Sequence, residues 1–104
     1  MQSGVRGIEL LEAVHNHGFL AVLGSCPSVA IAGFTLGGGH SDFLSSKYGI
    51  AATNVLEALV VLHDGRIVRA TRDNEFKDLL WGLMGYGGGK LALLLELKMK
   101  IYME

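Results

Sequence analysis

The sequence predicts an α+β fold, an antiparallel sheet flanked by helices, and three patterns carry that reading. The C-terminal stretch places Leu93, Leu95, Leu97, Met99 and Ile101 at alternate positions, with Glu96, Lys98 and Lys100 between them. That is the period-two rhythm of a half-buried strand in an antiparallel sheet. The Val- and Leu-rich run 55–63 leads into Asp64-Gly65 and is followed by Arg66–Thr71, the signature of a β-hairpin. Two other stretches repeat apolar residues at helical spacing.

Taken in order, residues 7–17 are predicted as an amphipathic helix with Ile8, Leu11 and Val14 on one face and Leu10 beside them. Gly18 stands where a C-terminal cap belongs. Phe19–Leu23 is a short apolar run between glycines and suits a buried strand. Residues 24–41 are rich in glycine, with at most a short helix from Ser28, and 42–48 form another short helix ending at Gly49. Strands at 55–63 and 66–71 follow, joined by a two-residue Asp64-Gly65 turn. Asp73 or Asn74 caps a helix over 75–84, whose Phe76, Leu79, Leu80 and Leu83 keep the i, i+3, i+4, i+7 spacing. A second glycine cluster, Gly85-Tyr86-Gly87-Gly88-Gly89, ends it before the last strand.

At 104 residues the chain holds at most one domain, and with half of them hydrophobic it has ample material for a core. The net charge of -1 is spread without a basic block, which argues against a nucleic-acid partner. The run 91–95 is too short to span a membrane, and the first six residues carry no apolar signal core. Fifteen glycines are a heavy load for so short a chain to order, so a piece of a larger protein is expected. The glycine clusters fail both common nucleotide fingerprints. A Walker loop ending at Gly89-Lys90 would need glycine and Ser or Thr where Met84 and Leu91 stand. A Rossmann motif starting at Gly85 would need glycine at Lys90. His15, His17, His40 and His63 lack carboxylate or cysteine partners at ligand spacing, so no metal site is expected. His40 stands apart because it directly follows a glycine triplet. Cys26, the only cysteine, reads on its own first as a small buried hydrophobe and second as a nucleophile or attachment point.

A set of motifs in fixed order changes that balance. They are Gly24-x-Cys26-Pro27-x-Val29, Gly37-Gly38-Gly39, Lys47-Tyr48-Gly49-Ile50-Ala51-Ala52-x-Asn54-Val55, Asp64-Gly65-Arg66, Asp78-Leu79-Leu80-Trp81 and Gly87-Gly88-Gly89. Together they resemble the berberine-bridge-enzyme-like FAD-linked oxidoreductases, flavoproteins with the PCMH-type FAD-binding fold, and most of all their fungal and bacterial branches. The resemblance implies that residues 1–104 are a partial FAD-binding domain, its second subdomain, with FAD as cofactor and a small-molecule substrate in the full-length protein. It implies cofactor contacts at Gly24, Ser25, Cys26, Pro27, Ser28, Val29, Ala32, Gly33, Gly37, Gly38, Gly39, His40, Asn54 and Val55. In members with a bicovalent flavin a cysteine in this context is joined through sulfur to the isoalloxazine C6, and Cys26 matches it. The implied reaction moves a hydride from a substrate C–H bond to flavin N5, with oxygen as the usual reoxidant and the catalytic base outside this chain. Thr53, Ala30, Phe34 and Lys90-Leu91-Ala92 depart from the residues common in the family. They motivate the alternative of a truncated or diverged, non-catalytic domain that does not bind FAD on its own.

Overall fold

The computed structural model describes residues 1–86 and 91–104; Gly87, Gly88, Gly89 and Lys90 of the second glycine cluster lie outside the described residues. Its elements are helices α1 (Gly7–His15), α2 (Ile31–Leu36), α3 (Ser45–Tyr48) and α4 (Lys77–Leu83), with a 3-10 turn at Ala51–Asn54. The strands are β1 (Phe19–Leu20), β2 (Val55–Val61), β3 (Ile67–Thr71), β4 (Leu93–Met99) and β5 (Tyr102–Met103). An antiparallel sheet in the order β3-β2-β4 forms the centre, and β1 pairs with β5 in a two-stranded ribbon. The α+β class and nearly every predicted element are present.

Three local departures have physical causes. The hairpin loop has three residues, His63-Asp64-Gly65, because Gly65 N–H donates to the Leu62 carbonyl at 2.9 Å and Leu62 N–H to the Arg66 carbonyl at 2.8 Å. Gly65, at φ 90, supplies the left-handed residue that closes such a loop. Strand β1 stops at Leu20 because only Phe19 and Leu20 find partners, in Met103 and Tyr102; Ala21–Leu23 continue buried but unpaired. On α1, Leu10 and Val14 face the core while Ile8 and Leu11 stay exposed. The i, i+4 pair looks inward and the i, i+3 pair a quarter-turn away does not.

The last strand shows the clearest departure. Alternation from Leu93 would send Leu93, Leu95 and Leu97 to one face. Instead β2 meets β4 with two register shifts, after Val55 and after Leu59. Leu56 and Leu95 are the extra residues, and each bulge reverses the parity of its strand. The inward pairs become Val55–Met99, Ala58–Leu97 and Val60–Leu94, continued into β3 by Ala70 and Val68. Leu80 and Leu83 of α4 and Leu36 of α2 pack onto this face. The outer face is wet, with Glu57 reaching Arg69 at 3.2 Å and Lys98 at 3.8 Å. A second cluster of Val14, Ala21, Leu23 and Ile31 lies under α1, and Met1 and Met99 touch both clusters.

Glycine is required at one place that matters for the site. Gly39, at φ 79, would carry a Cβ only 2.5 Å from that of Ala51 and 2.9 Å from the Phe34 ring. Gly18 has nearly the same φ, 77, with nothing within 4 Å.

Two predictions follow from these packing relations. Leu94→Ala should lower unfolding free energy by about 2–4 kcal/mol, whereas Leu93→Ala should change it by less than about 0.5 kcal/mol, since the two are 6% and 65% exposed. Equal losses in urea denaturation would count against the bulged register. Gly39→Ala should cost about 2–5 kcal/mol from strain and overlap together, and Gly18→Ala about 1–2 kcal/mol from backbone strain alone.

Candidate functional site

A helix begins with N–H groups that have no partner inside it. In α1 the Gly7 N–H donates to the Val29 carbonyl at 2.8 Å and the Ile8 N–H to the Pro27 carbonyl at 2.9 Å. A Cβ on Gly7 would lie 3.5–3.6 Å from the carbonyl oxygens of Cys26, Pro27 and Val29, so the loop rests closely against the helix end. The Pro27 and Val29 carbonyls turned toward α1 put the Ser28 and Ala30 N–H groups on the far side of their peptide planes, and the Ser28 N–H meets the Cys26 sulfur. Among the described residues no acceptor meets the N–H groups of Gly24, Ser25 or Cys26. The whole segment 24–30 is exposed.

Cys26 is therefore an exposed thiol and not the buried hydrophobe that it suggests in isolation. Its Sγ lies 3.5 Å from the Ser28 hydroxyl. That hydroxyl and then the Ser28 N–H hold the thiol below its ordinary pKa against the opposing effect of desolvation, and the Val29 N–H adds the smallest lowering. Donors converging on sulfur favour the thiolate, the nucleophilic form.

The loop borders two cavities. One, of about 290 Å³, brings together Gly24, Ser25, Cys26, Val29 and His40 from the sequence-predicted set, with Phe34 and Asp42 added. The Phe34 ring fills the space where side chains on Gly24 and Gly39 would stand, 3.1 and 2.9 Å from the Cβ positions. His40 Nε2 lies 3.7 Å from the Asp42 carboxylate, both exposed. The other cavity, of about 200 Å³, runs from Cys26 and Pro27 to the apolar side chains of Ile8, Leu11 and Phe43, the last 84% exposed. A third and larger cavity among the described residues, about 760 Å³, lies elsewhere, between the 3-10 turn and α4, and of the predicted residues only Val55 lines it. There Arg72 donates to the Thr53 and Val55 carbonyls at 2.8–3.2 Å, so part of its charge is already engaged by backbone. Size alone does not make that cavity the site, because it lacks the outward N–H groups and the thiol.

The remaining predicted residues divide. Ala32 packs against the central core. Gly37, Gly38 and Gly39 form the turn after α2, with the Gly38 and Gly39 carbonyls accepting the Ala52 and Ala51 N–H groups at 2.9 and 2.7 Å. Asn54 and Val55 are buried, and Asn54 spends its amide on the Tyr48 and Ile50 carbonyls at 3.0 and 2.9 Å. None of these residues lines either cavity beside Cys26. Gly7, Asp42 and Tyr102 are not singled out by the sequence, and Phe34 only as a departure from the residues common in the family. Only Gly7, the glycine opening a helix pattern, carried a local signal.

Whether the chain suits a large planar group that needs backbone donors can also be judged from Gly39, against Phe34, and Gly33, which precedes Phe34, although neither glycine lines the cavities beside Cys26. Gly39 is explained by its own neighbours, whereas Gly33 lies within α2 at negative φ, exposed, with nothing within 4 Å of a Cβ position. A helical glycine costs about 1 kcal/mol relative to alanine, and nothing inside the chain accounts for it. Open space over Gly33, free N–H groups at 24–26 and an exposed activated thiol fit a cofactor such as a flavin.

The sequence profile of the FAD binding domain matches residues 1–71. The VAO-type flavoprotein oxidase VAO615 of Thermothelomyces thermophilus is 45% identical over 103 residues, which cover 98% of this chain and 18% of the oxidase. The crystal structure of the VAO-type flavoprotein MtVAO615 from Myceliophthora thermophila C1 aligns with a TM-score of 0.93 at 44% identity, over 98% of this chain and 18% of that one. Glucooligosaccharide oxidase from Acremonium strictum, which has a 6-S-cysteinyl, 8α-N1-histidyl FAD, aligns with a TM-score of 0.87 at 33% identity, over 98% of this chain and 21% of that one. The chain thus spans about a fifth of the length of these relatives. By the match over residues 1–71 and by these relatives, the chain belongs to the FAD binding domain family, among the VAO-type and berberine-bridge-enzyme-like FAD-linked oxidoreductases.

Proposed function

We propose that the chain supplies the cofactor-holding part of a flavin-dependent oxidase or dehydrogenase and that Cys26 is a covalent anchor for its flavin. The observation that carries this reading is the exposed loop 24–30, whose carbonyls serve α1, whose N–H groups at Gly24, Ser25 and Cys26 remain free among the described residues, and whose thiol is activated by Ser28. Bound here, FAD would accept a hydride at N5 from a substrate C–H bond, with oxygen as the final oxidant. The chain's own part is to bind and to orient. Pro27, held by its carbonyl on α1, fixes the turn that presents Cys26 Sγ. The free N–H groups offer donors to flavin heteroatoms, and Gly33 leaves room for close approach. Phe34 provides a flat apolar wall, and His40 beside Asp42 places a titratable group in the same cavity. The 6-S-cysteinyl FAD of the Acremonium strictum oxidase supports the role given to Cys26. A small-molecule substrate and the base that takes its proton belong to parts of the protein beyond these 104 residues.

A second reading is favoured by the share of the relatives that the chain spans, 18% in VAO615. In it the 104 residues are a non-catalytic domain that holds no FAD by itself.

The test is denaturing mass spectrometry of the chain joined to the flanking segments of a homologous oxidase and purified with FAD. The expected result is flavin mass on the peptide bearing Cys26, lost in Cys26→Ala. A flavin-loaded protein whose Cys26 peptide is unmodified contradicts the anchor, and a product devoid of FAD supports the second reading. In the chain itself, the pH midpoint of Cys26 alkylation by iodoacetamide should lie below that of free cysteine, about 8.5. Ser28→Ala should move it upward by removing the largest cause of the depression. Coincident midpoints would show that Ser28 does not activate the thiol.

A further inference from the structure

We propose that Tyr102 is a positioning residue for the cofactor site, acting on both walls of the Cys26 cavity through Asn54 and through β1. The inference rests on the reading of that cavity as the flavin site. Tyr102 lies in neither cavity wall; its influence passes through two connections.

The first runs through Asn54, which is 3% exposed. Its two amide hydrogens go to the Tyr48 and Ile50 carbonyls at 3.0 and 2.9 Å. Its Oδ1 accepts the Tyr102 hydroxyl, and its backbone carbonyl accepts the Lys100 N–H at 2.7 Å. With both donors engaged inside the chain, the Asn54 side chain closes the 3-10 turn. The other end of that turn donates from Ala51 and Ala52 to the Gly39 and Gly38 carbonyls. Gly38 and Gly39, at φ 117 and 79, lead into His40 of the cavity wall, and these two bonds, with that from the Gly38 N–H to the Thr35 carbonyl at 3.0 Å, hold their backbone. His40 follows directly.

The second connection is the ribbon. Tyr102 pairs with Leu20 in β1, and the buried run Ala21–Leu23 carries that strand straight into Gly24 and the Cys26 loop. One residue thus ties the glycine triplet and the thiol loop to a common support. Its ring is held firmly for that purpose. It stacks on Tyr48 with centroids 3.8 Å apart and planes 21° apart. Lys47 lies 5.2 Å from the Tyr48 centroid and Lys100 5.4 Å from that of Tyr102, within cation–π range. Without the hydroxyl, the buried Asn54 oxygen has no partner among the described residues, and the turn loses its closure.

The test uses amide hydrogen exchange and FAD titration on the chain and two variants. Tyr102→Phe keeps the stack and removes the hydroxyl; Tyr102→Leu removes both. In Tyr102→Phe the Ala51 and Ala52 amides should exchange about fivefold faster, the equivalent of one neutral hydrogen bond. Ala58 and Val60 in β2 should keep their rates, and the Kd for FAD, followed by flavin fluorescence, should rise by a similar factor. Tyr102→Leu should exceed both changes. Unchanged exchange at Ala51 and Ala52 overturns the proposal, and so does an equal acceleration at Ala58 and Val60, which would mark a purely structural role. Faster local exchange with an unchanged Kd overturns it too. If the unmodified chain binds no FAD, the flavin reading fails for the isolated chain, while the exchange data still decide whether Tyr102 controls the glycine turn.

Discussion

The first turn of α1 needs acceptors for its N–H groups, and it takes them from the carbonyls of Pro27 and Val29. That requirement orients the Pro27–Ser28 and Val29–Ala30 peptides of the loop. It turns the Ser28 and Ala30 N–H groups away from the helix, and the Ser28 N–H and hydroxyl meet the sulfur of the exposed Cys26. At Gly7 a Cβ would stand in ordinary contact, 3.5–3.6 Å, with three loop carbonyls. A helix end that is usually satisfied by a capping side chain is here satisfied by the functional loop. Stability and presentation of the thiol are therefore the same interaction.

The opposite wall is built on a different device. The Gly37–Gly39 turn has no side chains with which to hold itself, so its carbonyls are fixed by the 3-10 turn, and that turn by Asn54. The central sheet lies behind, its inner face set by Ala58, Val60, Leu94 and Leu97. Rigidity thus passes outward from a packed sheet, through one buried amide, to two glycines whose own backbone has little preference. Surface ion pairs such as Glu57–Arg69 sit on the other face of the sheet and contribute little to this chain of support.

Much of this was legible in the residues. The helical spacing of Phe76, Leu79, Leu80 and Leu83, the Asp64-Gly65 hairpin, and glycines at 18 and 49 all mark elements the structure contains, because local steric and patterning rules decide them. The ordered motifs pointed to the FAD family. What escaped was non-local. The alternation of Leu93, Leu95 and Leu97 was real, yet the bulge at Leu95 depends on the partner strand, and nothing local to β4 announces it. Cys26 looked like a core residue by type, and its exposure follows from contacts with α1, about twenty residues away in sequence. The motif marks Asn54 but not that its side-chain amide is engaged by Tyr48, Ile50 and, 48 residues away, Tyr102. Tyr102 carried no motif, and its importance appears only when the chain ends meet.

The central claim is that the surface over Gly24–Cys26, Gly33 and His40 receives the flavin, and not the larger cavity beside α4. Amide chemical shifts of the 15N-labelled chain, recorded as FAD is added, test it most directly. The account predicts shifts at Gly24, Ser25, Cys26, Gly33 and His40, with Arg72, Trp81 and Tyr86 unmoved. Shifts confined to Arg72, Trp81 and Tyr86 would contradict it.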